Sequence, residues 1–276
     1  MDTTLVLGGT GKTGRRIVER LRRRDMSVRV GSRNGQPSFD WNDLSTWGRA
    51  LDGATSAYIS FYPDIAIPGA PEAVAAFCEQ ALKQGTRRLV LLSGRGEAEA
   101  QRAEEIVQAS GADWTILRCS WFMQNFSEAF FLESILAGEV ALPVRDMPEP
   151  FVDADDIADV AVAALTDDRH IGKLHELTGP RLLTFAQAVD AISVAAGRPV
   201  RFSSVSMSDF STTLIQQGTP EDVVVFLQYL FSEVLDGRNA HLTNGVEEAL
   251  GRKPRDFLDY ARDAAITGVW HPGRGQ

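Results

Sequence analysis

Residues 3–21 read TTLVLGGTGKTGRRIVERL. The apolar run at 3–8 has strand character, and Ile17, Val18 and Leu21 recur at helical spacing with arginines opposite. Between them Gly8, Gly11 and Gly14 follow a G-x-x-G-x-x-G spacing. Glycine there lets the chain turn sharply, bring its backbone close to a pyrophosphate and pack a helix on a strand. The helix start then offers free N–H groups and a positive dipole end to phosphate oxygens. Strand, glycine loop and amphipathic helix in that order make Gly8, Thr10, Gly11, Lys12, Thr13 and Gly14 candidate dinucleotide-binding residues.

Working outward, strand-like runs recur at about 27–32, 55–60, 87–93 and 113–118, with helical patterns at about 12–24, 43–51, 70–84 and 97–110. A further helix at 155–166 and strand at 173–178 complete the alternation. That order predicts an α/β fold, a doubly wound parallel Rossmann sheet. Residues 120–150 begin with an aromatic-rich helical stretch and end in a loop holding Pro143, Pro148 and Pro150. Residues 180–276 are mainly helical, with segments near 184–196, 208–217, 220–236 and 254–265. The expected organisation is a Rossmann domain of 1–119 plus 151–178, and a smaller, mainly helical substrate lobe of 120–150 plus 179–276.

Composition excludes several function classes. The 276 residues are 44% hydrophobic and 24% charged, as in ordinary globular chains. A formal charge of −9 argues against nucleic acid as a partner. The longest uncharged apolar run, Val223 to Ser232, is far short of a membrane helix, and Asp2 and the glycines interrupt any apolar leader. Cys78 and Cys119 stand far apart with no CxxC and no clustered histidines, so no metal is expected. A soluble, cytoplasmic protein is expected. Residues 1–33 carry nine Lys/Arg against three Asp/Glu, mostly in the run Arg15 to Arg24, which reads as a solvated helix face.

The second strand ends in Gly31-Ser32-Arg33, with no acidic residue between Asp25 and Asp40. An acidic residue there would hold a ribose 2′-hydroxyl; Arg33 suits a 2′-phosphate, so NADP(H) is expected over NAD(H). The Tyr-x-x-x-Lys dyad of carbonyl-reducing short-chain enzymes is missing: four positions after Tyr58, Tyr62, Tyr229 and Tyr260 stand Tyr62, Ala66, Glu233 and Ala264. Either the acceptor needs little protonation, or Ser93, Tyr62 or Cys119 serves as donor, or the cofactor is bound without turnover.

LVLGGTGKTGRRI at 5–17, GSR at 31–33, FDW at 39–41, DWTILRCSWFMQNF at 113–126, FVDADDIADVAVAAL at 151–165 and ELTGPRLLTFAQAVDAISVAAGRPV at 176–200 together resemble the NmrA-like branch of atypical short-chain dehydrogenases. Within it, the chain looks most like the subgroup of fungal ergot-alkaloid reductases and bacterial relatives. The resemblance implies an adenine end at Ser32, Arg33, Asp40 and Trp41, and a nicotinamide end along Ser60, Phe61, Tyr62, Ser93 and Gly94. It implies a substrate wall from Arg118 to Asn125. Cys119, Trp121, Phe122, Asn125, Phe151 and Tyr229 are the candidate substrate contacts, offering flat apolar surface with few polar groups. The glycine-rich Gly94-Arg95-Gly96-Glu97 departs from the pattern of many quinone reductases and sensors of this branch. The expected function is an NADPH-dependent reductase of a small organic electrophile. A non-catalytic NADP(H) sensor and a redox-neutral isomerase or cyclase are the alternatives, and the sequence is silent on oligomeric state.

Overall fold

The computed structural model describes residues 2–272. In chain order the elements are β1 Thr3–Leu7, α1 Lys12–Arg22, β2 Ser27–Gly31, α2 Trp47–Leu51, β3 Ala54–Ile59, α3 Ala70–Lys83, β4 Arg88–Gly94, α4 Ala98–Ala109 and β5 Asp113–Cys119. There follow α5 Leu132–Ala137, β6 Glu139–Leu142, α6 Ala154–Thr166, β7 Lys173–Leu177, α7 Phe185–Ala196 and β8 Arg201–Ser204. The chain continues with α8 Met207–Gln216, α9 Glu221–Tyr229, α10 Gly245–Leu250 and α11 Phe257–Ile266. Two compact units result: one of residues up to Cys119 with Ala154–Leu177 and Thr243–Lys253, the other of Ser120–Asp153, Thr178–Leu242 and the chain from Pro254.

The first unit carries a six-stranded sheet of order β2-β1-β3-β4-β5-β7, every neighbouring pair parallel. Helices cover its faces, so central strands are apolar on both sides: Leu5, Val6 and Leu7 are fully buried, as are Leu89, Val90 and Leu91. Helix α1 buries Ile17, Val18 and Leu21, each contributing about 1.5–3 kcal/mol of apolar burial. The expected α/β Rossmann sheet is thus the observed one.

Arg15, Arg22, Arg23 and Arg24 of the arginine run are exposed, as a solvated face requires, but Arg16 and Arg20 are not. Arg16 and Arg20 reach carboxylates of α6, with Arg16 Nε 3.1 Å from Asp155, and Arg20 Nη2 and Nε each 2.6 Å from Asp155 and Asp159. These two arginines therefore find their counter-charge on a helix about 140 residues on. Residues 243–253 also differ from expectation, since they join the Rossmann unit and not the lobe. The reason is a close backbone approach: a Cβ on Gly245 would lie 2.2 Å from the Glu176 carbonyl oxygen of β7.

The second unit gathers Phe126, Phe131, Phe151, Phe185, Phe257 and Trp270 in one apolar core. Helix α7 starts with a capping box, in which Thr184 Oγ1 accepts from the Gln187 N–H and the Gln187 side chain accepts from the Thr184 N–H. The aromatic stretch expected as a helix is a single 3-10 turn, Met123–Phe126. Its entry is extended instead, because the Met123 N–H donates to the Val152 carbonyl and Phe122 bridges to Val152. Strands β6 and β8, four residues each and paired in parallel, are additional to the expected elements.

Candidate functional site

In a parallel sheet all carboxyl ends lie along one edge, and that edge is where ligands of such folds bind. Here it collects the ends of β1, β2, β3 and β4, with β3 between β1 and β4. At the end of β1 the chain turns on Gly8, whose φ of 62° lies in the left-handed region that favours glycine. The Gly11 N–H donates to the Gly8 carbonyl at 2.8 Å and closes the loop. Gly14 allows α1 to press onto that loop, since a Cβ there would stand 2.2 Å from Gly8 O and 2.8 Å from Gly9 Cα. Helix α1 has Gly11 as N-cap, no side-chain cap and no acidic residue in its first turn. Its leading N–H groups are thus left for an anion. Thr13 is buried and accepts from the Tyr58 hydroxyl at 2.9 Å, pinning the turn to β3. Thr10 and Gly11 are exposed and Lys12 half-buried at the rim. The loop has the tight backbone cradle a pyrophosphate requires, and the residues present fit a dinucleotide.

Beside the loop, α1 and β2 border a groove of about 670 Å³ lined by Gly9, Thr10, Arg15, Val18, Val30 and neighbouring α1 side chains. Beyond β2, Ser32 is half-buried and its carbonyl accepts from the Phe39 N–H at 2.9 Å. Arg33 is exposed, and its guanidinium carbon lies 5.2 Å from the Tyr62 ring centroid. Asp40 works locally: its carboxylate accepts from the Asn42 N–H and its carbonyl from Trp47 Nε1. Trp41 Nε1 donates to the Ser60 carbonyl at 3.2 Å, and the ring lies 4.8 Å from Phe61. The structure therefore brings Arg33, Trp41, Ser60, Phe61 and Tyr62 together where β2 and β3 end. Tyr62, a candidate proton donor by sequence, sits against the arginine expected at the adenine end.

Ser93 at the end of β4 is 3% exposed, and its hydroxyl donates to Glu104 Oε1 at 2.5 Å. Glu104 in turn is clasped by Arg118, whose Nε lies 3.0 Å from Oε1 and whose Nη2 pairs with Oε2. Arg95 pairs with Glu176 at 2.7 Å, with Arg118 Nη1 3.7 Å from the other Glu176 oxygen. Ser93 is a link in this chain of charges across β4, β5 and β7. Cys119 is buried, with Sγ 3.5 Å from the Leu117 carbonyl, and burial pushes its thiol far above the usual range. Two acidic side chains not among the expected site residues follow strands at the same edge, Asp64 after β3 and Glu97 after β4; the GRGE stretch is the one visible signal, and for Glu97 alone.

The other candidate substrate contacts belong to the second unit. Trp121 is half-buried, 5.6 Å from both Phe185 and Phe231. Phe151 is fully enclosed by Phe126, Phe185 and Phe257, a core residue. Phe122, Asn125 and Tyr229 are half-buried.

With that geometry in hand, comparison with known proteins is decisive. The NmrA-like family profile matches residues 99–261 and an NAD(P)H-binding profile matches residues 8–168. The chain belongs to the NmrA-like family. It is 32% identical to the uncharacterized oxidoreductase YesF of Bacillus subtilis, over 96% of each chain. It is 30% identical to agroclavine dehydrogenase of Claviceps fusiformis, over 97% of this chain and 98% of that one. Among solved structures it superposes on the NADPH complex of the quinone oxidoreductase QOR2 from Escherichia coli with a TM-score of 0.79, at 18% identity over 94% of this chain and 99% of that one. This NmrA-like chain is an NAD(P)H-dependent oxidoreductase of the atypical short-chain type, and the likeness to the ergot-alkaloid reductases holds over nearly its whole length. No helix among the described residues is long and apolar enough to cross a membrane.

Proposed function

We propose that the chain is an NADPH-dependent reductase that delivers hydride to a small or medium organic electrophile, an imine or iminium, a quinone or a conjugated carbonyl. The observation that carries this reading is the pairing of the uncapped glycine loop with Arg33 beyond β2, where an NAD-selective site would hold a carboxylate. The nicotinamide, when bound, supplies the hydride. The chain's own work is to bind and orient: loop N–H groups take the pyrophosphate, Arg33 takes the 2′-phosphate, and Trp41 and Phe61 offer flat apolar surface beside them. Without a Tyr-x-x-x-Lys dyad, rate comes chiefly from proximity and orientation. The agroclavine dehydrogenase likeness supports redox chemistry on a small organic molecule. The free, buried thiols Cys78 and Cys119 support a reducing, cytoplasmic setting.

The test is a titration of wild type and R33A with NADPH and NADH, followed by NADPH oxidation against imine, quinone, enal and ketone acceptors. The reading expects tighter NADPH than NADH binding in wild type only, with turnover of an imine, quinone or enal. Tight binding with no turnover of any acceptor replaces it with a cofactor sensor or a redox-neutral enzyme.

A further inference from the structure

After β4 the chain folds back on its own end. An added Cβ on Gly94 would stand 2.0 Å from Glu97 Oε2 and 2.5 Å from its carboxyl carbon. The missing side chain of Gly94 is thus the seat of the Glu97 carboxyl, at the sheet edge where ligands of this fold bind. Glu97 is half-buried; its backbone carbonyl accepts from the Gln101 N–H at 3.1 Å, and its side chain makes no hydrogen bond or ion pair among the described residues.

The groups that face it come from each neighbouring segment. Asp64 follows β3, Glu104 projects from α4, and the Cys119 thiol closes β5. The cations nearby are directed elsewhere: Lys12 acts on Asp64, Arg95 pairs with Glu176, and Arg118 with Glu104. Burial holds the Asp64 carboxyl above its ordinary range as well, with the Ala66 N–H, 2.9 Å from its Oδ1, and the Lys12 charge working against that. Burial, then the Asp64 and Glu104 carboxylates, hold the Glu97 carboxyl well above the usual carboxylate range. A carboxyl held up in this way keeps its proton to higher pH than an exposed one and has that proton to give.

We propose that Glu97, seated on Gly94 at the carboxyl end of β4, is the proton donor of the reduction. This rests on the reductase reading and narrows its substrate class. A neutral acceptor, such as a quinone or a conjugated carbonyl, receives hydride at one atom and needs a proton at oxygen. The Glu97 O–H bond breaks, an O–H bond forms on the product, and the resulting carboxylate regains a proton from water before the next cycle. An iminium acceptor is neutralised by hydride alone and makes no use of the proton. Glu97 therefore marks the chain for acceptors of the first kind.

The experiment compares wild type with E97Q in the full-length protein. Infrared difference spectra between the two, with no cofactor and again with NADP⁺, report the protonated-carboxyl C=O stretch across pH. NADPH affinity serves as the folding control, and turnover is read with a naphthoquinone and with a cyclic iminium salt. The expected result is a carboxylic acid band at pH 7 in wild type that is missing in E97Q, and unchanged NADPH affinity. Naphthoquinone turnover falls about 100-fold with any iminium turnover unchanged, in line with the usual worth of a positioned acid. An ionised Glu97 at pH 7, or E97Q that reduces the quinone as fast as wild type, overturns the proposal and leaves the reductase reading standing. A wild type that binds NADPH and consumes it with neither acceptor overturns both.

Discussion

Arg33 and Tyr62 come from different strand ends, β2 and β3, yet the guanidinium of one lies over the ring of the other, 5.2 Å from its centroid. A planar cation on an aromatic face is held in place without losing its edge N–H donors. Tyr62, 63% exposed, acts as a platform for Arg33, which the proposed reading assigns to the 2′-phosphate. Replacing Arg33 by Ala should weaken NADPH roughly 10- to 100-fold and leave NADH nearly unchanged, since a charge-assisted hydrogen bond contributes about 1.5–3 kcal/mol. Tyr62→Ala should weaken NADPH only about 2- to 5-fold, the worth of an exposed cation–π contact, and Tyr62→Phe should match wild type. Fluorescence titration of the three variants checks both statements.

The glycine loop makes a second prediction. Because a Cβ at Gly14 would meet the Gly8 carbonyl at 2.2 Å, Gly14→Ala must push α1 off the loop. Overpacking of that kind costs about 1–3 kcal/mol and displaces the N–H groups meant for phosphate. NADPH affinity should fall at least roughly 100-fold, more than in Arg33→Ala, and NADH affinity should fall with it, an effect of about 2.8 kcal/mol at about 1.4 kcal/mol per tenfold. Calorimetric titration with both cofactors separates this loop effect from the selective loss at Arg33.

How much of this was legible beforehand depends on the range of the signal. Strands β1 to β5 and helices α1, α3, α4 and α6 announce themselves through local periodicity, and the glycine loop through spacing within seven residues. Strands β6 and β8 span four residues each, too short for alternation to show, and exist because Glu139–Leu142 finds Arg201–Ser204. The partner of Ser93 is Glu104, eleven residues on; their bond depends on how α4 lies along β4, which no spacing rule fixes. Glu97 was visible only as the end of a glycine-rich stretch, because its setting is made by Asp64, 33 positions earlier.

The Glu104 pairing also bears on stability. Glu104 is 2% exposed, and Arg118, a quarter exposed, supplies its charge. Arg118→Met leaves that carboxylate buried with Ser93 as its remaining partner. The loss should be about 2 kcal/mol, below the usual 3–5 for a fully buried pair because Arg118 reaches water. Double replacement with Glu104→Leu should recover part of it. Urea unfolding of wild type and the two variants measures the difference.

A buried histidine pair sets the acid limit. His170 Nδ1 and His175 Nε2 lie 3.0 Å apart, and His175 Nδ1 has no hydrogen-bond partner among the described residues. Burial, then the neighbouring His170 and Lys173 charges, push His175 down to about 4, while the unfolded chain takes up its proton near 6.5. The unfolded state thus binds more protons between those values. Stability is full above about pH 6.5 and is lost as pH falls toward about 4. His175→Leu should flatten the urea-midpoint profile between pH 7.5 and 5 relative to wild type.

The central claim is tested most directly by mixing the purified protein with NADPH and following loss of the reduced-nicotinamide absorbance with quinone, cyclic imine, conjugated enal and simple ketone acceptors, with NADH in parallel. NADPH should be consumed with a quinone or a conjugated enal, faster than NADH, and little with simple ketones. Bound NADPH that stays fully reduced with every acceptor would contradict it.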